Sequence, residues 1–116
     1  MTRVVLSEAQ REAVARGEFV RVAGAWEGFL VGRVAGAWRA YSNVCRHRAL
    51  PLDLGANSPM SDDRRYLLCH QHGALYRLDD GKCVMGPCAG DSLEAVGVIE
   101  GTDGALVLTP PTLPVA

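Results

Sequence analysis

Two short stretches of this chain carry side chains that can do chemistry, Cys45-Arg46-His47 and Cys69-His70-Gln71-His72. They read C-x-H and then C-x-x-H, so two thiolates and two imidazoles come from two loops. Such ligands suit zinc or iron and are poor partners for hard cations such as magnesium or calcium. Within each stretch the ligands are close enough to reach one centre from one loop. Zinc fingers pair Cys with Cys and His with His. Here each loop carries one of each, which is unusual for structural zinc. His70 lies between ligands and is expected not to bind, because two neighbouring residues cannot ordinarily both reach one metal.

The rest of the chain reads as a scaffold for these loops. Residues 7–16 carry a helix signal, with Gly17 as a natural stop, so the helical unit spans 7–17. Ser7 and Gln10 form a capping-box pattern and Glu8 sits in the first turn, at the positive end of the dipole. A helix of about two to three turns is not stable alone, so Ala9, Ala13 and Val14 are expected to pack on other elements. Strands are expected at Phe19–Val22, Phe29–Val34 and Trp38–Ser42, the last running straight into Cys45. Further strands are expected at Tyr66–Leu68, which delivers Cys69, and at Ala74–Leu78, Cys83–Met85, Ala95–Glu100 and Ala105–Thr109. Asp79-Asp80-Gly81-Lys82 and Gly101-Thr102-Asp103-Gly104 are turn signals. Residues 49–55 form a turn-rich apolar loop, and 56–65, polar and containing Pro59, read as surface loop. The proline-rich tail at 110–116 cannot continue a central strand. The short, regular spacing suggests an antiparallel meander in an all-β fold.

Composition narrows the function. Twelve basic and 13 acidic residues leave a net charge of −1, which argues against nucleic-acid binding. No apolar run approaches a membrane span, and Met1–Leu6 reaches Ser7-Glu8 too soon for a signal-peptide core. A cytoplasmic protein of one domain, residues 1–116, is expected. The four cysteines should then be reduced or metal-bound. Cys83 and Cys88 read as inert buried thiols, with a disulfide between them as the alternative. Trp26 and Trp38 read as packing residues.

The mixed Cys/His pairing makes sense for a two-iron cluster in which one iron takes both sulfurs and the other both nitrogens. Cys45-Arg46-His47 and Cys69-His70-Gln71-His72, followed at once by Gly73, resemble the cluster-binding boxes of the Rieske [2Fe–2S] proteins. Pro51-Leu52, Gly73-Ala74-Leu75-Tyr76, the Asp80-Gly81-Lys82 turn and Gly86-Pro87 extend the likeness from about Phe19 to Leu108. The spacing between the boxes is somewhat longer than is common in that family, and the polar 57–65 loop takes up the excess.

The resemblance implies a Rieske-like antiparallel β sandwich or pair of small barrels, with two cluster-binding hairpin loops within 45–76 and one short N-terminal helix. It implies one [2Fe–2S] cluster per subunit. Cys45 and Cys69 would hold the inner iron, His47 and His72 the outer, more exposed one. Pro87 would belong to a loop covering the cluster. Two imidazoles in place of thiolates raise the potential to roughly −150 to +300 mV, against about −400 mV for an all-cysteine plant-type cluster. High-potential respiratory members have a serine where this chain has Ala74, a tyrosine where it has Tyr76, and a disulfide where it has Leu50 and Gln71. The low-to-middle part of the range is therefore expected.

A small one-electron carrier follows, not itself an enzyme, passing electrons from a reductase to an oxygenase. In a chain of this length a mononuclear iron domain is not expected. The alternatives are a Rieske-like small subunit of a reductase such as nitrite reductase, with the large subunit as partner, and a structural zinc module. Arg46, Arg48, Arg64 and Arg65 flank the boxes and would form a positive rim for an acidic partner if clustered.

Overall fold

The computed structural model describes residues 2–23, 28–44, 58–69, 73–86 and 89–109. The elements are β1 (Thr2–Val4), α1 (Glu8–Ala15), β2 (Val20–Val22), β3 (Phe29–Val34), β4 (Ala37–Ser42), β5 (Tyr66–Leu68), β6 (Leu75–Arg77), β7 (Cys83–Met85), β8 (Ala95–Glu100) and β9 (Leu106–Thr109). They form a six-stranded sheet, β1-β9-β8-β4-β3-β2, and a three-stranded sheet, β5-β6-β7. Every strand pairing among the described residues is antiparallel. The all-β expectation with one short N-terminal helix holds.

The strands β3 and β4 lie at the centre because both their faces are covered. Phe29, Val31 and Ala40 point into a core shared with Leu6, Val14, Val22, Val96, Leu106 and Leu108. Leu30 and Tyr41 point the other way, into a second core with Phe19, Met60, Leu67, Cys69, Ala74, Tyr76, Cys83 and Leu93. A strand buried on both faces reads as a continuous apolar run, which Phe29-Leu30-Val31 is. Gly32 leaves the space that the Phe19 ring occupies, since a Cβ there would stand 2.4 Å from Phe19 Cδ1. Phe19 in turn stacks on Tyr41, with ring centroids 6.0 Å apart.

The large sheet curls because β8 changes partner along its length. Ala95 and Val96 pair with Tyr41 and Ala40 of β4, whereas Gly97–Glu100 pair with β9. The strand β1, pairing Thr2–Val4 with Leu108–Leu106, was not expected from the sequence. Three residues carry too little periodicity to announce a strand, and β9 supplies the reason for one.

The helix keeps to its sequence signals. Ser7 Oγ accepts the Gln10 N–H at 3.1 Å, and Gln10 Oε1 accepts the Ser7 N–H at 2.9 Å. At the other end Gly17 N–H bonds Val14 O and Glu18 N–H bonds Ala13 O, the paired bonds of a Schellman cap. Val14 is buried and Ala13 half-buried, but Ala9 is exposed, contrary to expectation. At 3.6 residues per turn Ala9 lies about 140° round the helix from Val14, off the face that Val14 buries. Gln10 also donates from Nε2 to Arg21 O at 3.1 Å, tying the helix to the edge strand β2. Replacing Gln10 by Ala removes a cap bond and an edge bond together. A stability loss of about 1–2 kcal/mol is expected from urea unfolding, with Gln10→Glu, which keeps the cap acceptor, losing less.

Residues 58–65 differ from the expected surface loop. Pro59 and Met60 are buried, Met60 bridges to Leu67, and its Sδ accepts the Phe19 N–H at 3.3 Å. Only 61–65 is a polar turn, held by Asp63 Oδ1 accepting from Ser61 Oγ and Arg65 N. Residues 49–57, expected as loop, and the 110–116 tail lie outside the described residues.

Tyr41 fastens the small sheet to the large one. Its O–H donates to Leu78 O at 2.7 Å, just before the 79–82 turn. Burial pushes its phenol up to about 12, beyond the opposing pull of Arg39. The folded state therefore keeps this proton when the unfolded chain, at about 10, loses it. Stability is whole below pH 10 and declines as pH rises toward 12, by about 2–3 kcal/mol in full. Alkaline unfolding midpoints should show that slope in the native protein and lack it in Tyr41→Phe.

Candidate metal centre

The second box sits on a hairpin. Tyr66, Leu67 and Leu68 pair with Arg77, Tyr76 and Leu75, and the ladder continues one step, with Cys69 N–H bonded to Ala74 O at 2.9 Å. Gly73 N–H then bonds Cys69 O at 2.9 Å, closing a short loop between Cys69 and Ala74. That closure holds Cys69 at the start of the loop. Cys69, Ala74 and Tyr76 are all fully buried, and they share one apolar cluster with Cys83. Gly73 is exposed at the loop's end.

The stem of the first box is equally well fixed. Ser42 N–H bonds Glu94 O and Ser42 Oγ bonds Glu94 Oε1. Asn43, fully buried, donates its N–H to Gly28 O at 3.1 Å, and Val44 N–H bonds Ser42 O. The chain thus enters Cys45 from a rigid strand end. Such clamping limits the ordering cost of assembling a four-ligand site.

A third segment closes on the same place. A bulge between Leu75 and Tyr76 shifts the register of β7, which pairs Leu75 with Met85 and Tyr76 with Cys83. Gly86, at the end of β7, then lies flush on Ala74. A Cβ at Gly86 would stand 2.8 Å from Ala74 Cα. This contact was not read from the sequence, where Gly86 stood only as half of a Gly-Pro pair. A Gly-Pro pair marks a turn and says nothing of what packs on it.

Among the expected site residues, Cys69, Gly73, Ala74 and Tyr76 are therefore brought together. Cys45, His47, His72 and Pro87 lie outside the described residues, as do His70, Leu50, Gln71 and Cys88. Cys69 is a soft donor held on a loop closed by backbone bonds. Of the four ligands expected from the sequence, Cys69 is the one among the described residues. Cys83 is a core thiol whose Sγ lies 3.2 Å from Met85 O. Of the arginines, Arg64 and Arg65 are exposed. Arg64 lies 3.7 Å from Glu18, which also binds Arg16.

Comparison with known proteins agrees with this geometry. The family model described as Rieske [2Fe–2S] domain matches residues 4–108. No curated protein sequence matches the chain. Among solved structures, the chain is similar to the terminal oxygenase of carbazole 1,9a-dioxygenase from Nocardioides aromaticivorans IC177. Identity there is 27% and the TM-score 0.64, over 84% of this chain and 28% of that one. The ferredoxin of the same system matches at 20% identity and TM-score 0.61, over 82% of this chain and 86% of that one. A complex of reduced oxygenase and oxidized ferredoxin in carbazole 1,9a-dioxygenase matches at 21% identity and TM-score 0.62, over 84% and 86%. The chain thus spans under a third of the oxygenase and most of the ferredoxin. No helix among the described residues is long and apolar enough to cross a membrane.

Proposed function

The chain belongs to the Rieske [2Fe–2S] domain family, and we propose that it acts as a one-electron carrier delivering electrons from a reductase to an oxygenase. The observation that carries this reading is the family match spanning both boxes, joined to the buried Cys69 on its closed loop. When bound, the [2Fe–2S] cluster takes up and releases one electron. Cys45 and Cys69 would bind its inner iron, His47 and His72 the outer one, with one cluster in a single domain over 1–116. Cys69 would lie at the floor of the site, its burial with Leu67 and Tyr76 keeping water from that side. His47 and His72 would form the edge that meets a partner. Gly86 and Pro87 would cover the side facing Ala74.

Delivery to an oxygenase is supported by the solved ferredoxin–oxygenase complex, whose ferredoxin shares this fold. A cytoplasmic location suits a carrier working between soluble enzymes. Iron and acid-labile sulfide content, with an EPR spectrum of the reduced protein, tests the reading. A brown protein with two irons and two sulfides per chain is expected. A colourless protein holding one zinc would sink it.

Docking should be salt-sensitive. Arg65 is exposed at the start of the strand that leads to the second box, and Arg64 is only partly matched by Glu18. Together with Arg46 and Arg48 they would steer an acidic partner, so stopped-flow electron-transfer rates should fall as ionic strength rises. Arg65→Gln should flatten that dependence.

A further inference from the structure

The end of the large sheet where β3 turns into β4 lies at the opposite end of β4 from the stem of Cys45. A cavity of about 200 Å³ opens there, lined by Leu6, Arg11, Val14, Arg33, Trp38 and Glu100, among others. Its walls are the apolar side chains of Leu6 and Val14 and the indole of Trp38. The Arg33 guanidinium lies 5.4 Å from the Trp38 ring centroid. Arg11 reaches from α1 toward the β8–β9 turn, where its Nη2 would be 3.5 Å from a Cβ at Gly104.

The polar groups around this cavity are unmatched. Trp38 Nε1 is buried and has no hydrogen-bond partner, a rare state for a donor in a folded protein. Among the described residues, the side chains of Arg11, Arg33 and Glu100 make no hydrogen bond or ion pair. Two guanidiniums, one carboxylate and an orphan N–H leave one positive charge and a surplus of donors. Trp38 also borders the larger cavity nearby, about 350 Å³ between β4 and β8, but the charged groups there are matched. Its Arg39 donates to Asp79 O and Trp38 O, and its Asp80 pairs with Arg77.

We propose that the smaller cavity binds an aromatic monocarboxylate of about benzoate size, its carboxylate held by Arg11 and Arg33 and its ring against Leu6, Val14 and Trp38. Charge-assisted bonds from guanidinium to carboxylate are the strong kind, and an apolar pocket with a few convergent donors is the common form of a small-molecule site. Glu100 opposes the carboxylate and limits affinity. A ligand of so few atoms should bind with a Kd of about 0.1–1 mM.

Titration calorimetry of the cluster-loaded protein with benzoate tests this, with benzyl alcohol and inorganic phosphate as comparison probes. Saturable binding of benzoate alone is expected, weakened about tenfold or more by Arg33→Gln or Arg11→Gln and strengthened by Glu100→Gln. Both arginines are exposed, so the variants should fold, and an unchanged visible spectrum verifies it. The Trp38 indole N–H resonance should move on binding, and Trp38→Phe should weaken it. No saturable heat up to about 10 mM benzoate overturns the proposal. So does binding that survives the Arg11→Gln/Arg33→Gln double variant, or phosphate binding as tightly as benzoate, which would mark a bare cationic patch.

Discussion

Gly86→Ala is expected to cost roughly 2–4 kcal/mol of stability and to shift the reduction potential upward. Gly86 has φ +104, a region that an L side chain enters only with strain. The added Cβ would also stand 2.8 Å from Ala74 Cα and 3.3 Å from Ala74 N, which are backbone atoms that cannot rotate away. Gly86 must therefore lift from Ala74. The potential follows from charge. Two ferric irons, two sulfides and two thiolates sum to zero, and one added electron makes −1. Water admitted by the lifted segment favours the charged, reduced form. Gly90→Ala separates the two causes. Its φ is +99 but nothing lies within 4 Å of the Cβ position, so it should lose about 1–2 kcal/mol with no change in potential. Urea midpoints and film voltammetry of both variants decide the matter, and equal behaviour of the two would remove Gly86 from the site.

The same contact marks the limit of what could be read from residues alone. Features that depend on neighbours in sequence were legible. Ser7, Gln10 and Gly17 announced a helix that begins and ends on them, and Phe29-Leu30-Val31 announced a strand buried on both sides. The Cys69–Ala74 loop was legible because Gly73 and the flanking strands are local. Features that depend on distant partners were not. Residues 2–4 become a strand only because β9 lies beside them. Met60 looked like loop, yet its sulfur meets Phe19, 41 residues away. Gly86 gave no hint that it rests on Ala74, because a register shift inside β6–β7 creates the approach. Hydrophobicity and spacing carry no information on such register shifts. The cavity at Arg11, Arg33 and Trp38 was invisible for the same reason, since its residues come from a helix and three strands joined by the curl of the sheet.

Ala74→Ser is expected to raise the potential by about 40 mV or more. Ala74 is fully buried, its carbonyl already accepts the Cys69 N–H, and its Cβ faces Gly86. A hydroxyl placed on that Cβ enters a region with little water and must find an acceptor. If a cluster sulfur lies within reach, the O–H bonds it, and more strongly once the added electron has raised the charge on sulfur. A differential stabilisation of about 1 kcal/mol corresponds to about 40 mV for one electron. Tyr76, buried across β6 from Leu67 and Cys83, is expected to make the companion bond, so Tyr76→Phe should shift the potential down by a similar amount. The energetics separate this from a merely packed site. A bonded serine leaves stability within about 1 kcal/mol of the native protein, whereas a buried hydroxyl without an acceptor costs about 1–3 kcal/mol and leaves the potential where it was. Voltammetry and urea unfolding on one preparation of Ala74→Ser distinguish the two, and the second result would mean that no sulfur lies beside residue 74.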